Sequence, residues 1–553
     1  MLTRIRNGHC IDPAFGVDQL GDVWIQDGKI VESSSAQTDA AKNIQTMEAS
    51  DCIVMAGGID LHTHIGGGKL TLARLLLEDS ANGSAKPIGD FLPTTSVVAQ
   101  RYLDMGYTTC FEPAVIPCNA RSAHAEMADI RGIDTGGYCL LGNDDLLMQL
   151  LADDVPQSII NDYVAWMVMA TQCIAVKVVN PGGISAFKFN QRRLDVDTPH
   201  PTYGITPSTI VRRLCRAVSE IGLAHPLHVH CSNLGVPGNI DSTLKTIEAA
   251  DGFPIHLTHA QFHCYGDDGP YAFVSAAAKL VAAMQRNPNV TIDVGQVMFG
   301  QTVTISADSM HQFHNVRYAN PRKSMLVDVE CEAGCGVVPF RYRRRQFVHS
   351  LQWAIGLELF LMIDDPSRVF LTTDHPNGAP FTTYPHLIRL LCDRSYRETA
   401  LAEIDPEAAA ASSLGGIDRE YTLSEIATMT RSAPAAILGL SGIGNLAVGS
   451  SADMVVYEKN KNFDVMFSTP KFVFKNGVLV RGNASNPAAS FGSITHTATV
   501  SFDPQTIETL AKRYESYGAM AMSRLRISDD EMEGSLGTVP IKHPPPTTRG
   551  AEN

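Results

Sequence analysis

The sequence predicts an α/β fold: a (β/α)8 barrel of the TIM type, with a small β-sandwich built from both ends of the chain. Three observations carry this expectation. Over residues 55–443 and just before them, apolar runs with β-branched residues (53–54, 174–179, 226–230, 254–259, 290–297, 369–373) punctuate helical stretches such as 209–221, 275–286 and 423–438. That alternation argues for a parallel sheet, and its length favours a closed barrel over a doubly wound sheet. Residues 1–54 and 444–482 share a hairpin texture, with apolar runs around Asp27-Gly28 and Asn476-Gly477, so the two segments are expected to pair with each other.

The remaining elements follow in order. The helical stretch 423–438 is expected to kink or break at Pro434. Residues 483–553 read as a C-terminal extension with a helix near 507–517 and an extended or disordered tail at Pro544-Pro545-Pro546. No G-x-G-x-x-G follows a strand and no G-x-x-x-x-G-K-[ST] is present, so dinucleotide and P-loop readings lose their main support.

Composition narrows the class. The 553-residue chain has 18% charged and 44% hydrophobic residues, ordinary for a globular protein with an ample core. Its 44 Lys and Arg against 58 Asp and Glu give a net charge of −14, which argues against nucleic acid or an anionic membrane as partner. The local exception is Arg341-Tyr342-Arg343-Arg344-Arg345, a solvated face or a patch for a carboxylate-rich ligand or acidic partner. The 12 cysteines are dispersed and form no C-x2-C pair, which disfavours a zinc ribbon or iron–sulfur motif. With no apolar leader at the amino terminus and residues 164–176 too short to span a bilayer, a soluble cytoplasmic protein is expected.

The sharpest motif is Gly57-Gly58-Ile59-Asp60-Leu61-His62-Thr63-His64. Residues i and i+2 of a strand share a face, so His62 and His64 can share a metal at the barrel's carboxyl-end mouth. Two more histidine runs follow, Leu227-His228-Val229-His230 and Ile255-His256-Leu257-Thr258-His259, one strand–helix–strand step apart. The last residue of each run reaches the mouth, which favours His230 and His259 and leaves His228 and His256 to the core. His263 is a candidate second-shell or substrate contact. His311 and His314 lie three apart on a possible helix face and read as surface residues.

Lys177 sits inside the apolar run Ala175-Val176-Lys177-Val178-Val179. A buried ammonium needs a partner or must give up its charge. The neutral amine can capture carbon dioxide as a carbamate, an anion able to bridge two cations; a salt bridge or a snorkelling end are the plainer solutions. Asp374 closes the run Val369-Phe370-Leu371-Thr372-Thr373, either as a turn residue or as a metal ligand that exchanges protons with bound water.

In chain order these read His-x-His, Lys, His, His, Asp at successive strand ends, which resembles the amidohydrolase superfamily. The stretches Lys177-Val178-Val179-Asn180-Pro181-Gly182-Gly183, His230-Cys231-Ser232-Asn233-Leu234-Gly235 and His259-Ala260-Gln261-Phe262-His263-Cys264-Tyr265-Gly266 are similar to the amidohydrolase-type subunits of formylmethanofuran dehydrogenase and of the bacterial formyltransferase/hydrolase complex. Hydantoinases and dihydroorotases usually carry an acidic residue where Ser232-Asn233 stand. The resemblance implies a binuclear zinc centre held by His62, His64, carboxylated Lys177, His230, His259 and Asp374. Asp374 is expected as the catalytic base, and Asn233, His263 and Arg343 at the substrate. It implies cleavage of N-formylmethanofuran, or a close analogue with carboxylates on its side arm, to formate and free coenzyme within a multisubunit complex. The alternatives are the archaeal direction of formylmethanofuran synthesis, a cyclic-amide hydrolase and a metal-free scaffold protein.

Overall fold

The structure, a computed structural model, describes residues 2–32, 44–76, 92–189, 191, 193–305, 329–331, 335–482, 491–518 and 520–546; His311 and His314 lie outside the described residues. Eight parallel strands form the barrel: Gly58–Asp60, Tyr107–Val115, Asp134–Leu141, Ala175–Val179, Leu227–His230, Ile255–Leu257, Val290–Asp293 and Val369–Phe370. Their short apolar runs are buried on both faces, as a parallel sheet covered by helices requires. The ring closes between its ends through the Thr63–His375 bridge, where the His64 N–H donates to the His375 carbonyl at 2.8 Å.

Register decides which side chains meet. His228 pairs with Lys177 on one side and His256 on the other, and His230 pairs with Val179. The first and last histidines of each run therefore occupy two levels along the barrel axis.

The connecting helices end where local chemistry ends them. Pro207–Glu220 starts behind Thr206, whose hydroxyl accepts from the Thr209 N–H at 3.2 Å, and Pro207 takes the first helical position. Its Ile210, Val211, Leu214 and Val218 are buried on one stripe. The 423–438 stretch is divided into Leu423–Ala427, a π-helical turn Thr428–Ser432 and Ala433–Ile437. Pro434 has no N–H for the carbonyl of Thr430, four residues back, which accounts for the interruption before it. Among the described residues no helix is long and apolar enough to cross a membrane.

The two chain ends meet in one eight-stranded sheet. Val478–Arg481, Phe472–Lys475, Met454–Glu458, Cys52–Ala56, Leu2–Asp12, Val17–Gln26 and Lys29–Val31 follow in spatial order, with Ile44–Glu48 also on Leu2–Asp12. Strand periodicity splits its side chains between two cores. Val54, Met454 and Val456 face the small domain, whereas Ile53, Met55, Val455 and Tyr457 join the barrel's core. Two-residue turns at Asp27-Gly28 (φ 49° and 79°) and Asn476-Gly477 (φ 48° and 74°) close its hairpins.

Residues beyond 483 contribute to the barrel sheet itself. Ser493–Ala498 runs parallel to the first half of the third barrel strand, Ile494 opposite Asp134 and His496 opposite Gly136, while the second half of that strand pairs with Ala175–Val179. Thr538–His543 lies parallel on its outer side, so the proline tail begins only after a paired strand. The expected helix occupies Pro504–Glu515.

Candidate metal centre

The first barrel strand ends at Asp60, and the chain beyond it delivers His62 and His64 to the same side. The two rings stand at 84° with centroids 5.7 Å apart. Each imidazole is held from behind by a buried carboxylate. His62 Nδ1 donates to Asp293 Oδ2 at 3.0 Å, and His64 Nδ1 donates to Glu112 Oε1 at 2.8 Å. The Nε2 atoms are thereby turned forward, where they lie 3.0 Å (His62) and 3.5 Å (His64) from Asp374 Oδ1. A histidine that donates one ring N–H to a carboxylate and presents the other nitrogen is the usual arrangement around a metal ion.

Each carboxylate is itself fixed. Asp293 Oδ1 accepts from the His259 backbone N–H at 2.9 Å and the Thr372 hydroxyl at 2.8 Å, and its Oδ2 also accepts from His256 Nε2 at 3.1 Å. Glu112 Oε2 accepts from the N–H groups of Ile65 at 2.7 Å and Gly66 at 3.1 Å. His228 and His256 stack at 4.7 Å below the mouth, around Asp293, as the two-level register demands.

Lys177, 2% exposed, extends from the fourth strand until its Nζ lies 3.4 Å from His62 Nε2. His230 and His259 come from the fifth and sixth strand ends, their rings edge to face at 4.6 Å. His259 and Asp374 both adopt left-handed backbone (φ 38° and 50°), a conformation uncommon outside glycine and concentrated at functional sites. Gly295 makes room for both: a Cβ there would lie 2.3 Å from the His259 Cβ and 3.4 Å from the Asp374 Cβ.

Electrostatics suit a cation. Burial alone would raise the carboxyls of Asp374, Asp293 and Glu112. The histidines beside them outweigh it, and Asp374 and Asp293 are held well below the usual carboxylate range, with Glu112 lowered too. Burial and Lys177 push His62 toward its neutral form, yet Asp293 and Asp374 raise it, so the site attracts positive charge. Burial drives His259 well below its ordinary value, leaving a neutral ligand. Four groups of potential ligands occur among the described residues: His62–His64–Asp374, His230–His259–His263, His62–His228–Asp293 and His225–His228–His256. The first two face or adjoin one pocket, whose space together with the open solvent at its mouth is about 480 Å³. With two imidazoles and a carboxylate in the first group and three imidazoles in the second, the donors fit a borderline divalent ion such as zinc.

That cavity brings together His64, Lys177, His230, His259 and Asp374; Leu234, Phe262, Ile305 and Tyr342 supply apolar wall, and Asn377 lines it too. The three expected substrate contacts lie outside this lining. Asn233 turns its amide away, donating to Asp195 at 3.1 Å and Ser242 at 2.8 Å, and has no part in the lining. His263 packs behind the mouth, stacked on His259 at 5.2 Å, and so adjoins the ligands rather than the cavity. Arg343 is exposed just beyond the strand Cys335–Tyr342, whose last residue lines the cavity, and is not itself part of the lining.

Glu112 and Asp293 escaped sequence reasoning, although each is a charged residue inside a buried apolar strand. Like Lys177, each needs a partner there, and that need is the signal that could have found them.

Comparison with known proteins matches residues 45–480 to the amidohydrolase family. The chain is 45% identical to one component of the formyltransferase/hydrolase complex Fhc of Methylorubrum extorquens, covering 94% of this chain and 94% of that protein. It is 35% identical to Protein FwdA of Methanocaldococcus jannaschii, covering 95% and 96%. A chain of the crystal structure of the formyltransferase/hydrolase complex (FhcABCD) from Methylorubrum extorquens in complex with methylofuran superposes with a TM-score of 0.89. That match has 42% identity and covers 98% of this chain and 100% of the other.

Proposed function

The chain belongs to the amidohydrolase family, and from that premise we propose that it hydrolyses an N-formyl amine of the formylmethanofuran type to formate and the free amine, as one component of a formyltransferase/hydrolase assembly. The observation that carries the reading is the convergence of His62 Nε2 and His64 Nε2 on Asp374 Oδ1, with Lys177 beside them and both Nδ1 atoms tied to carboxylates.

In this reading His62, His64 and Asp374 hold one zinc ion, and His230 and His259 the other. Lys177, once carboxylated by carbon dioxide, would offer a carboxylate to both. Zinc held there would supply a water of pKa about 7 and a Lewis acid for the formyl oxygen. Asp374 accepts the proton of the attacking water and delivers it to the departing nitrogen, so a C–O bond forms as the C–N bond breaks. The histidines beside it keep Asp374 ionised despite its burial, so it carries no proton before the attack. Leu234, Phe262, Ile305 and Tyr342 exclude bulk water and give an aromatic ring its wall. Arg343, with Arg341 and Arg345, receives carboxylates of the coenzyme's arm. The described cysteine side chains are free thiols, buried except for Cys118, which supports a reducing, cytoplasmic setting.

The test is formate release from N-formylated aminomethylfuran by the metal-replete protein within its complete assembly. No formate from such a preparation sinks the proposal, and sub-stoichiometric metal after careful purification favours a scaffold role.

A further inference from the structure

Asn377 is pinned at three points. Its backbone N–H donates to the Asp374 carbonyl at 2.6 Å, its carbonyl accepts the Tyr342 hydroxyl at 3.0 Å, and its side-chain Oδ1 accepts the Ile305 N–H at 2.6 Å. The Ile305 group can only donate, so the side-chain atom facing it is the oxygen, and the orientation of the amide is settled. What is left is Nδ2, with two protons and no partner among the described residues, on a side chain that lines the cavity.

The other lining hydroxyls are committed elsewhere. Thr304 Oγ1 donates to the Val338 carbonyl at 3.5 Å, and Tyr342 to Asn377 itself. His64, His230, His259, Lys177 and Asp374 belong to the proposed metal ligands. Asn377 Nδ2 is therefore the neutral hydrogen-bond donor that this wall offers to a substrate. A formamide has one strong acceptor, its carbonyl oxygen, and that atom gains negative charge as the carbon becomes tetrahedral. A donor fixed in advance in a water-excluded cavity stabilises that charge without reorganising.

We propose that Asn377 is a catalytic residue whose Nδ2 donates to the carbonyl oxygen of the scissile amide. Its backbone link to Asp374 would hold base and donor in one rigid turn. The inference rests on the formamide reading above.

Asn377→Asp keeps an oxygen for the Ile305 N–H and removes the donor; Asn377→Ala removes both. The two variants share only the missing Nδ2. Both should lower kcat about 100- to 1000-fold, as loss of one such donor does elsewhere, while KM changes little and metal content stays at the parent value. Only Asn377→Ala should also lower the melting temperature. A parent that releases formate and an Asn377→Asp variant that matches its kcat would overturn the donor role alone. A loss confined to KM, or accompanied by an equal loss of metal, would overturn it as well. A parent that releases no formate refutes the formamide reading and this inference with it.

Discussion

Glu112 stands directly behind His64, its Oε1 2.8 Å from the imidazole Nδ1 while its other oxygen gathers the N–H groups of Ile65 and Gly66. One carboxylate thus sets the tautomer of a metal-facing histidine and the path of the chain after it. Glu112→Gln puts an NH2 either against the Ile65 and Gly66 N–H groups or against His64 Nδ1 and the Ala114 N–H, and so either clashes with backbone donors or reverses the tautomer. Divalent metal affinity should fall about 10- to 100-fold, as read by titrating metal-free protein with zinc and a competing chelator. Parent affinity in a folded variant would remove Glu112 from this role.

If Lys177 carries the proposed bridging carboxylate, Lys177→Ala should abolish metal-dependent turnover. Short carboxylates in the buffer should restore part of it. Full activity without them would place Lys177 outside the chemistry.

Asp374→Asn should reduce turnover by roughly 100- to 10,000-fold, the usual range for a general base, while coenzyme binding weakens far less. Zinc content is measured in parallel, since Asp374 lies 3.0 Å from His62 Nε2 and is expected to contact metal too. Turnover equal to the parent would mean that another group takes the proton.

Arg343 and Arg345 are exposed beyond Tyr342, whereas Arg344 pairs with Glu403. Reversing both exposed charges should raise KM for a carboxylate-bearing formyl coenzyme, most at low salt, and leave kcat nearly intact. If KM holds but the assembly dissociates on gel filtration, the run serves assembly; if neither changes, it is solvated surface.

Glu358, buried in the helix Phe347–Met362, offers a stability test away from the metal centre. Burial raises its carboxyl from 4.5 to about 7, against hydrogen bonds from Ser275 and Ser413 that favour the ionised form. Between those values the unfolded chain has released a proton that the folded one keeps, so stability falls as pH rises through the window. Above it the deficit is roughly 3 kcal/mol. Glu358→Gln keeps an acceptor for the Ser413 N–H and lets Ser275 accept from the amide. It should gain stability relative to the parent at pH 8 and little at pH 4.5. Parallel urea-unfolding curves at both pH values would contradict this.

The barrel and the residues that converge at its mouth were legible because each rests on short-range pattern. His62 and His64 share a face by strand period, and depth in the strand separates His230 and His259 from His228 and His256. Glu112 and Asp293 were hidden because a lone carboxylate in an apolar strand has no spacing signal until the fold brings its histidine to it. Asn233 misled: its left-handed backbone (φ 65°) turns the amide toward Asp195 and Ser242, a direction no linear pattern encodes. The pairing of Ser493–Ala498 with Asp134–Leu141 joins segments more than three hundred residues apart, and its Ser, Thr and His content gave little strand signal.

That late pairing has a consequence for synthesis. The outer edge of residues 134–136 finds its partner only when the chain beyond residue 493 has left the ribosome. At about 5–20 residues per second, the delay is on the order of 20–70 s. An unpaired strand edge held open that long is a template for association with neighbouring nascent chains. The ring of eight strands can thus close before this edge is covered, and the 134–136 edge stays exposed until the strand Ser493–Ala498 emerges.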